Sequence, residues 1–125
     1  MKLKYGYALE DWTEARDEVI EILRRRARTT GSPMTYASLC RKVKSIAFEP
    51  YSSALAHLLG EISEREDAAG RGMLSAYVVL KETKRPGAGF FKLAQKKGRT
   101  STDHEALWLD ELRIAAEASK RLADA

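Results

Sequence analysis

The sequence predicts a mainly helical fold carrying one β-hairpin. Three observations predict it. Apolar residues recur at steps of three and four in four separate segments, one short stretch from Met73 to Leu80 is rich in β-branched and aromatic residues, and clusters of Gly, Pro and Ser punctuate the chain between them. A length of 125 residues suits one domain, long enough to bury a core without disulfides or metal, so a single domain spanning 1–125 is expected. With 44% hydrophobic and 32% charged residues the composition is that of a globular chain and excludes a disordered one. No apolar run approaches the roughly 20 residues of a membrane span. Glu10 and Asp11 stand where a signal peptide would place its apolar region, so a cytoplasmic chain with no membrane partner is expected.

Taken in order, Asp11-Trp12-Thr13-Glu14 has the form of a capping box and predicts a first helix over about 11–29. Its residues Trp12, Ala15, Val19, Ile22, Leu23 and Ala27 form one apolar stripe. Acidic residues lie early in this helix and Arg24, Arg25, Arg26 and Arg28 lie late, which suits the helix dipole at both ends. The arginine run therefore reads as a solvated helix end, and equally as a lining for an anionic partner.

Gly31-Ser32-Pro33 ends this helix, and Thr35 caps a short second one from Tyr36 to about Val43. Pro50 fits the first turn of a third helix that ends near Glu66, with Tyr51, Leu55, Leu58, Leu59 and Ile62 on its apolar side. Ser52, Ser53, Ala56, His57 and Gly60 fall on the other side, a small polar face that can approach another surface closely. After Gly70-Arg71-Gly72, the stretch Met73–Leu80 reads as a strand. The cluster Lys84-Arg85-Pro86-Gly87-Ala88-Gly89 reads as its turn, and Phe90-Phe91 as the return beside it, before a helical turn through Leu93 and Ala94. Thr102 and Glu105 form a second capping box for a final helix over about 102–123, with Trp108, Leu112, Ala115 and Leu122 on one side.

The resulting order is helix, helix, turn, helix, hairpin, helix. That is the arrangement of a winged helix-turn-helix, here with a core of about 34–92 and additional N- and C-terminal helices. Met34-Thr35-Tyr36-Ala37-Ser38-Leu39 resembles the Val-Thr-Tyr-Gly-Glu-Leu segment that opens the DNA-binding half of alkylguanine DNA alkyltransferases and alkyltransferase-like proteins. The likeness runs on through Tyr51–Leu59 and Met73–Leu80. It implies a DNA-binding winged helix but not the family's chemistry. Where those enzymes carry Pro-Cys-His-Arg this chain has Leu74-Ser75-Ala76-Tyr77, so the alkyl-accepting nucleophile is missing, and Tyr51, Ser52 and Ser53 offer no counterpart to the family's intruding arginine. The stretches Leu74–Val79 and Pro86–Phe91 also resemble small uncharacterised bacterial proteins, which implies no activity.

The chemistry-bearing residues point the same way. Cys40 is the one cysteine and reads as a packed thiol, because no histidine lies near it in sequence to act as a base. Glu82-Thr83-Lys84, with Glu66 or Asp67, has the residue types of a metal-dependent nuclease, but so short a match is common and reads as a polar hairpin tip. His57 and Glu61, four apart, with His104, are too few for a metal set. No catalytic residues, metal or cofactor are therefore expected.

Between Lys81 and Arg99 stand seven basic residues against the single acid Glu82, which leaves the rest of the chain slightly acidic. Charge concentrated at a wing is what phosphate contact requires. The expected duplex-DNA contacts are Ser52, Ser53 and His57 on the third helix and Lys81, Lys84, Arg85, Lys92, Lys96 and Lys97 on and beyond the wing. The third helix carries Glu61, Glu64, Glu66 and Asp67 and only Arg65 as a cation, so specific readout of guanine has no obvious donor. The alternative is a protein-interaction module that binds a protein partner or a second copy of itself, with Tyr5, Tyr7, Trp12 and Trp108 as candidate anchors.

Overall fold

A computed structural model describes residues 2–124, and five α-helices make up most of them. The chain opens with an antiparallel hairpin, β1 (Leu3–Lys4) and β2 (Tyr7–Ala8), turning on Tyr5 and Gly6, both at positive φ (51° and 85°). A two-residue turn of that kind matches the twist of the strands it joins. It delivers the chain directly into α1 (Leu9–Arg28), where the Leu9 amide donates to the Lys2 carbonyl at 3.2 Å. The expected capping box does not form. The helix begins before Asp11, with Ala8 at the N-cap and no side-chain cap, because the hairpin already sets its first turn. Asp11 instead places its charge in that turn, where the dipole favours it.

Next come β3 (Met34–Thr35) and α2 (Tyr36–Lys42), with the Thr35 hydroxyl accepting from the Ser38 amide at 3.2 Å, the cap that the sequence predicts. The connection over residues 43–52 is held by Glu18 of α1, whose carboxylate accepts from the Lys44 and Ser45 amides and from the Ser45 hydroxyl. Ser52 then caps α3 (Ser53–Ala68). Leu55, Leu58, Leu59 and Ile62 are buried as their spacing predicts. Tyr51 is 66% exposed, because it precedes the helix and does not share its phase.

The expected hairpin over 73–91 is not present. Leu74–Tyr77 forms a 3-10 turn, and only Val78–Val79 (β4) is extended, paired in parallel with β3 (Met34 opposite Val78, Thr35 opposite Val79). From Leu80 the chain closes a loop on itself, with the Leu80 amide donating to the Arg85 carbonyl and the Lys84 amide to the Leu80 carbonyl, both at 2.9 Å. Phe90-Phe91 belongs to a helix, α4 (Ala88–Lys96), with Gly87 at its N-cap. The physical reason is burial. Every residue from Gly72 to Val79 is buried, so the stretch has no open edge for a returning strand, and Pro86-Gly87 starts a helix as readily as it makes a turn. The last helix, α5 (His104–Asp124), is capped by Asp103, which accepts from the Ala106 amide at 3.0 Å, rather than by Thr102. Leu122, near its end, is 43% exposed and not part of the core.

Both α1 and α3 pack against the 3-10 turn, and so does α5, which also lies along α1. An irregular segment at the centre of a helical fold satisfies only part of its own backbone, here through the Ala76 and Val78 amides, and side chains of the surrounding helices supply further partners. Glu111 of α5 accepts from the Met73 amide at 3.1 Å, Ser63 of α3 accepts from the Ser75 amide at 3.1 Å, and Trp108 Nε1 donates to the Ala76 carbonyl at 2.8 Å. Tyr77 reaches back with its hydroxyl to the Leu112 carbonyl at 3.0 Å. Apolar packing divides around this segment. Leu74, Tyr77 and Val78 join the cluster of α1, α2 and α3, whereas Met73, Ala76 and Val79 join Phe90, Leu107 and Trp108.

Gly72 admits the chain to this interior. Its φ is +84°, and a Cβ there would lie 2.7 Å from Ile114 Cγ2. Gly72→Ala is therefore expected to cost about 1–3 kcal/mol by denaturant unfolding, from backbone strain and overlap together. Gly60→Ala, inside α3 with nothing within 4 Å of the new methyl, is expected to stabilise by about 0.5–1 kcal/mol. Equal effects of the two substitutions would contradict the placement of Gly72.

Candidate nucleic-acid interface

The residues expected to contact nucleic acid fall into two groups. Lys81, Lys84 and Arg85 lie in the closed loop after β4, all exposed, with Lys84 held at φ 59°. Lys92 and Lys96 follow on α4, whose buried residues are Phe90 and Ala94, so the two lysines lie on the opposite side of the helix, and Lys97 is its C-cap. Lys81, Lys84, Lys92, Lys96 and Lys97 form no ion pair among the described residues. The two arginines of the stretch differ. Arg85 pairs with Glu105 at 2.9 Å across half-exposed surface, and Arg99 is taken inward by Asp67 and Glu111. Arg99 thus ties the chain beyond α4 to α3 and α5 and is not available to a ligand.

Ser52, Ser53 and His57 form the other group. Ser52 is occupied as the cap of α3, its hydroxyl accepting from the Leu55 amide at 3.2 Å. Ser53 is exposed beside it. The His57 ring stacks on Tyr5 of the N-terminal hairpin, with centroids 4.3 Å apart and planes within 10°. Both line a groove of about 460 Å³, together with Tyr36, the start of α4 at Gly89, Phe90 and Leu93, and the acidic Glu61 and Glu64 of α3. Burial pushes the Tyr36 hydroxyl above its ordinary pKa, against the opposing pull of the Gly87 amide. The small outer face of α3 is therefore bordered by two elements that its periodicity does not reveal. Helix α4 links the groups, lining the groove with its first turns and carrying lysines on its far side.

The carboxylates of α3 are largely engaged. Glu61 accepts from Trp12 Nε1 at 2.9 Å and from Lys4 at 3.0 Å, so it is not poised with His57 around a metal. His104 stacks on a different ring, that of Phe91. Glu66 is held between Arg24 and Arg71, each at 2.6 Å, and Asp67 by Arg99, while Glu82 stands apart on the exposed loop. Cys40 is half-buried, and burial raises its pKa, which keeps it a thiol. Trp12 and Trp108 are buried and act in packing and hydrogen bonding rather than as exposed anchors. Tyr7 packs on Trp12 and Phe48, and Tyr5 is 50% exposed.

The N-terminal hairpin that stacks on His57 escaped sequence reasoning. Its signal is the Tyr-Gly pair between short apolar-polar alternations, Leu3-Lys4 and Tyr7-Ala8. No family model, no curated protein and no solved structure matches the chain.

The engaged carboxylates set an acid limit. Burial alone would raise the Glu66 pKa, but hydrogen bonds from Arg71 and Arg24 outweigh it and leave the carboxyl below its ordinary 4.5. For Asp67 the Arg99 hydrogen bond dominates and holds it below 3.8. Because both folded-state values are depressed, their stabilisation is present above the ordinary values and is lost as pH falls through the folded ones. Denaturant unfolding is expected to show stability falling below about pH 4.5, and Glu66→Gln with Asp67→Asn to make that fall shallower while lowering stability at neutral pH. An acid limb as steep in the double variant as in the wild type would contradict this assignment.

Proposed function

We propose that this protein binds nucleic acid through its phosphates, with little sequence preference, by a helix-turn-helix of winged type in which the closed loop after β4 takes the place of the wing. One observation carries the reading. Five lysines in one stretch, Lys81, Lys84, Lys92, Lys96 and Lys97, project from a short loop and a nine-residue helix without ion-pair partners among the described residues. Arg85, partly neutralised by Glu105, contributes less. The topology supports it as well. Strands flank the α2–α3 pair on both sides in sequence and join in one parallel ladder, so the basic loop leaves the fold beside the start of α2.

Uncompensated lysines on a folded surface attract the phosphate backbone through counterion release, which is independent of base sequence. The engagement of Glu61, Glu66 and Asp67, and the absence of arginine among Ser53, Ala56, His57 and Gly60 on the outer face of α3, fit binding without base readout. His57 borders the groove beside this surface and Ser53 lies exposed one turn before it, so both can approach the backbone closely.

Fluorescence anisotropy on labelled duplexes of unrelated sequence is expected to give similar affinities that fall steeply with salt. Replacing the five lysines with Ala should reduce the slope of log affinity against log salt by about 0.9 for each phosphate that is no longer neutralised. Arg85→Ala should change it less than Lys84→Ala. Thermal stability should stay near wild type, because the five side chains are exposed. No binding of the wild type at low salt, or an unchanged slope in the five-lysine variant, would overturn the reading in favour of a protein-interaction module.

A further inference from the structure

The arginine run at the end of α1 is not part of the surface described above, yet it builds a site of its own. Arg25 and Arg26 come together with Lys42, from the last turn of α2, around a cleft of about 300 Å³. The hydroxyl-bearing Thr29 and Thr30 complete its polar lining and Met34 of β3 adds an apolar part. Among the described residues no carboxylate lines it, and none of the three cations forms an ion pair. The neighbouring arginines show by contrast what an engaged residue looks like here, Arg24 pairing with Glu66 and Arg28 with Glu21.

Two features prepare the cleft for an anion. The negative end of α1 would repel one, but two of its last-turn carbonyls, those of Arg25 and Arg26, are already covered. Both the amide and the hydroxyl of Thr29 donate to the Arg25 carbonyl (3.0 and 2.6 Å), and the Gly31 amide donates to the Arg26 carbonyl at 2.9 Å. Arg26 is also fixed in place, its Nε donating to the Ser32 carbonyl at 2.7 Å, which leaves guanidinium N–H groups for a ligand at little further ordering cost.

We infer that this cleft binds a phosphate group. Three positive charges around one small space exceed what a monovalent carboxylate would balance, whereas a phosphate dianion has the charge and the acceptor oxygens for two guanidinium groups and an ammonium. The parallel pairing of β3 with β4 sets Met34 of the cleft opposite Val78, three residues before Lys81, so the cleft and the basic loop leave the same short ladder. Its phosphate belongs either to a free phosphorylated compound or to a nucleic-acid backbone.

Nuclear magnetic resonance titration of the whole chain with inorganic phosphate, at ionic strength held constant with chloride, distinguishes the possibilities. Saturable shifts are expected at the amides of Arg25, Thr29, Thr30 and Lys42. The double variant Arg25→Gln with Lys42→Gln should bind about tenfold more weakly or worse, since each substitution removes a charge-assisted hydrogen bond. Each single variant should show part of that loss, which keeps the test usable if the double variant folds poorly. Replacing Lys92, Lys96 and Lys97 should leave phosphate binding here unchanged, so failure of the nucleic-acid reading and failure of the cleft remain distinguishable. A duplex that displaces phosphate from these amides identifies the backbone as the source, and one that leaves them unmoved identifies a free phosphate compound; either supports the site. Shifts that do not saturate, that spread evenly over the surface lysines, or that keep the wild-type affinity in the double variant would overturn it.

Discussion

The structure depends on how one buried and irregular stretch, Gly72–Val79, has its backbone satisfied. Within helices the peptide groups pair with one another, but a 3-10 turn followed by two extended residues leaves amides and carbonyls facing a closed interior. Each unpaired group there would cost about 1–3 kcal/mol. Glu111, Ser63 and Trp108 supply partners from two different helices, the turn bonds itself through the Ala76 and Val78 amides, and β3 pairs with Val78 and Val79. The same contacts decide where α3, α5 and β3 sit, because each must bring one group to a fixed backbone position. Glu111 has a double role, accepting also from Arg99 and so fastening the chain after α4 to the same centre.

The candidate interface follows from this arrangement. The buried stretch delivers the chain to the surface at Leu80, and from there it continues through the closed loop that turns into α4. Phe90 and Ala94 then hold α4 against the smaller apolar cluster, which leaves Lys92 and Lys96 outward. The lysines therefore stand on rigid supports, which favours an electrostatic surface of defined shape over a mobile basic tail. At the other end of the ladder, β3 brings Met34 between the ends of α1 and α2, where Arg25, Arg26 and Lys42 meet.

Much of the helical part was legible in the sequence, because amphipathic spacing reports which side of a helix is buried. Val19, Leu23, Leu55 and Leu58 are fully buried, as their periodicity requires, and Thr35 caps α2 as its residue type suggests. The stretch Met73–Leu80 misled, since β-branched and aromatic residues mark burial as much as pairing and sequence alone does not separate the two. Capping was half legible. Asp103 and Ala8 occupy the N-cap positions expected for Thr102 and Asp11; Asp103 caps through its carboxylate one residue further on, whereas at Ala8 the hairpin, not residue preference, fixes where the helix begins. The concentration of lysine over residues 81–97 was visible as composition, whereas the engagement of Arg85 and Arg99 required knowing which acids lie opposite. The cleft at Arg25 and Lys42 joins residues far apart in sequence, so only half of it, the arginine run, could be read beforehand.

Amide hydrogen exchange at Met73 and Ser75 tests most directly whether the helices are organised around this stretch. Both amides should exchange only as slowly as the buried core of α3 around Leu58, by global unfolding, and Glu111→Ala should release Met73 selectively while Ser75, held by Ser63, remains protected in whatever fraction stays folded. Fast exchange of Met73 and Ser75 in the wild type, by local opening well below the global unfolding free energy, would contradict the account.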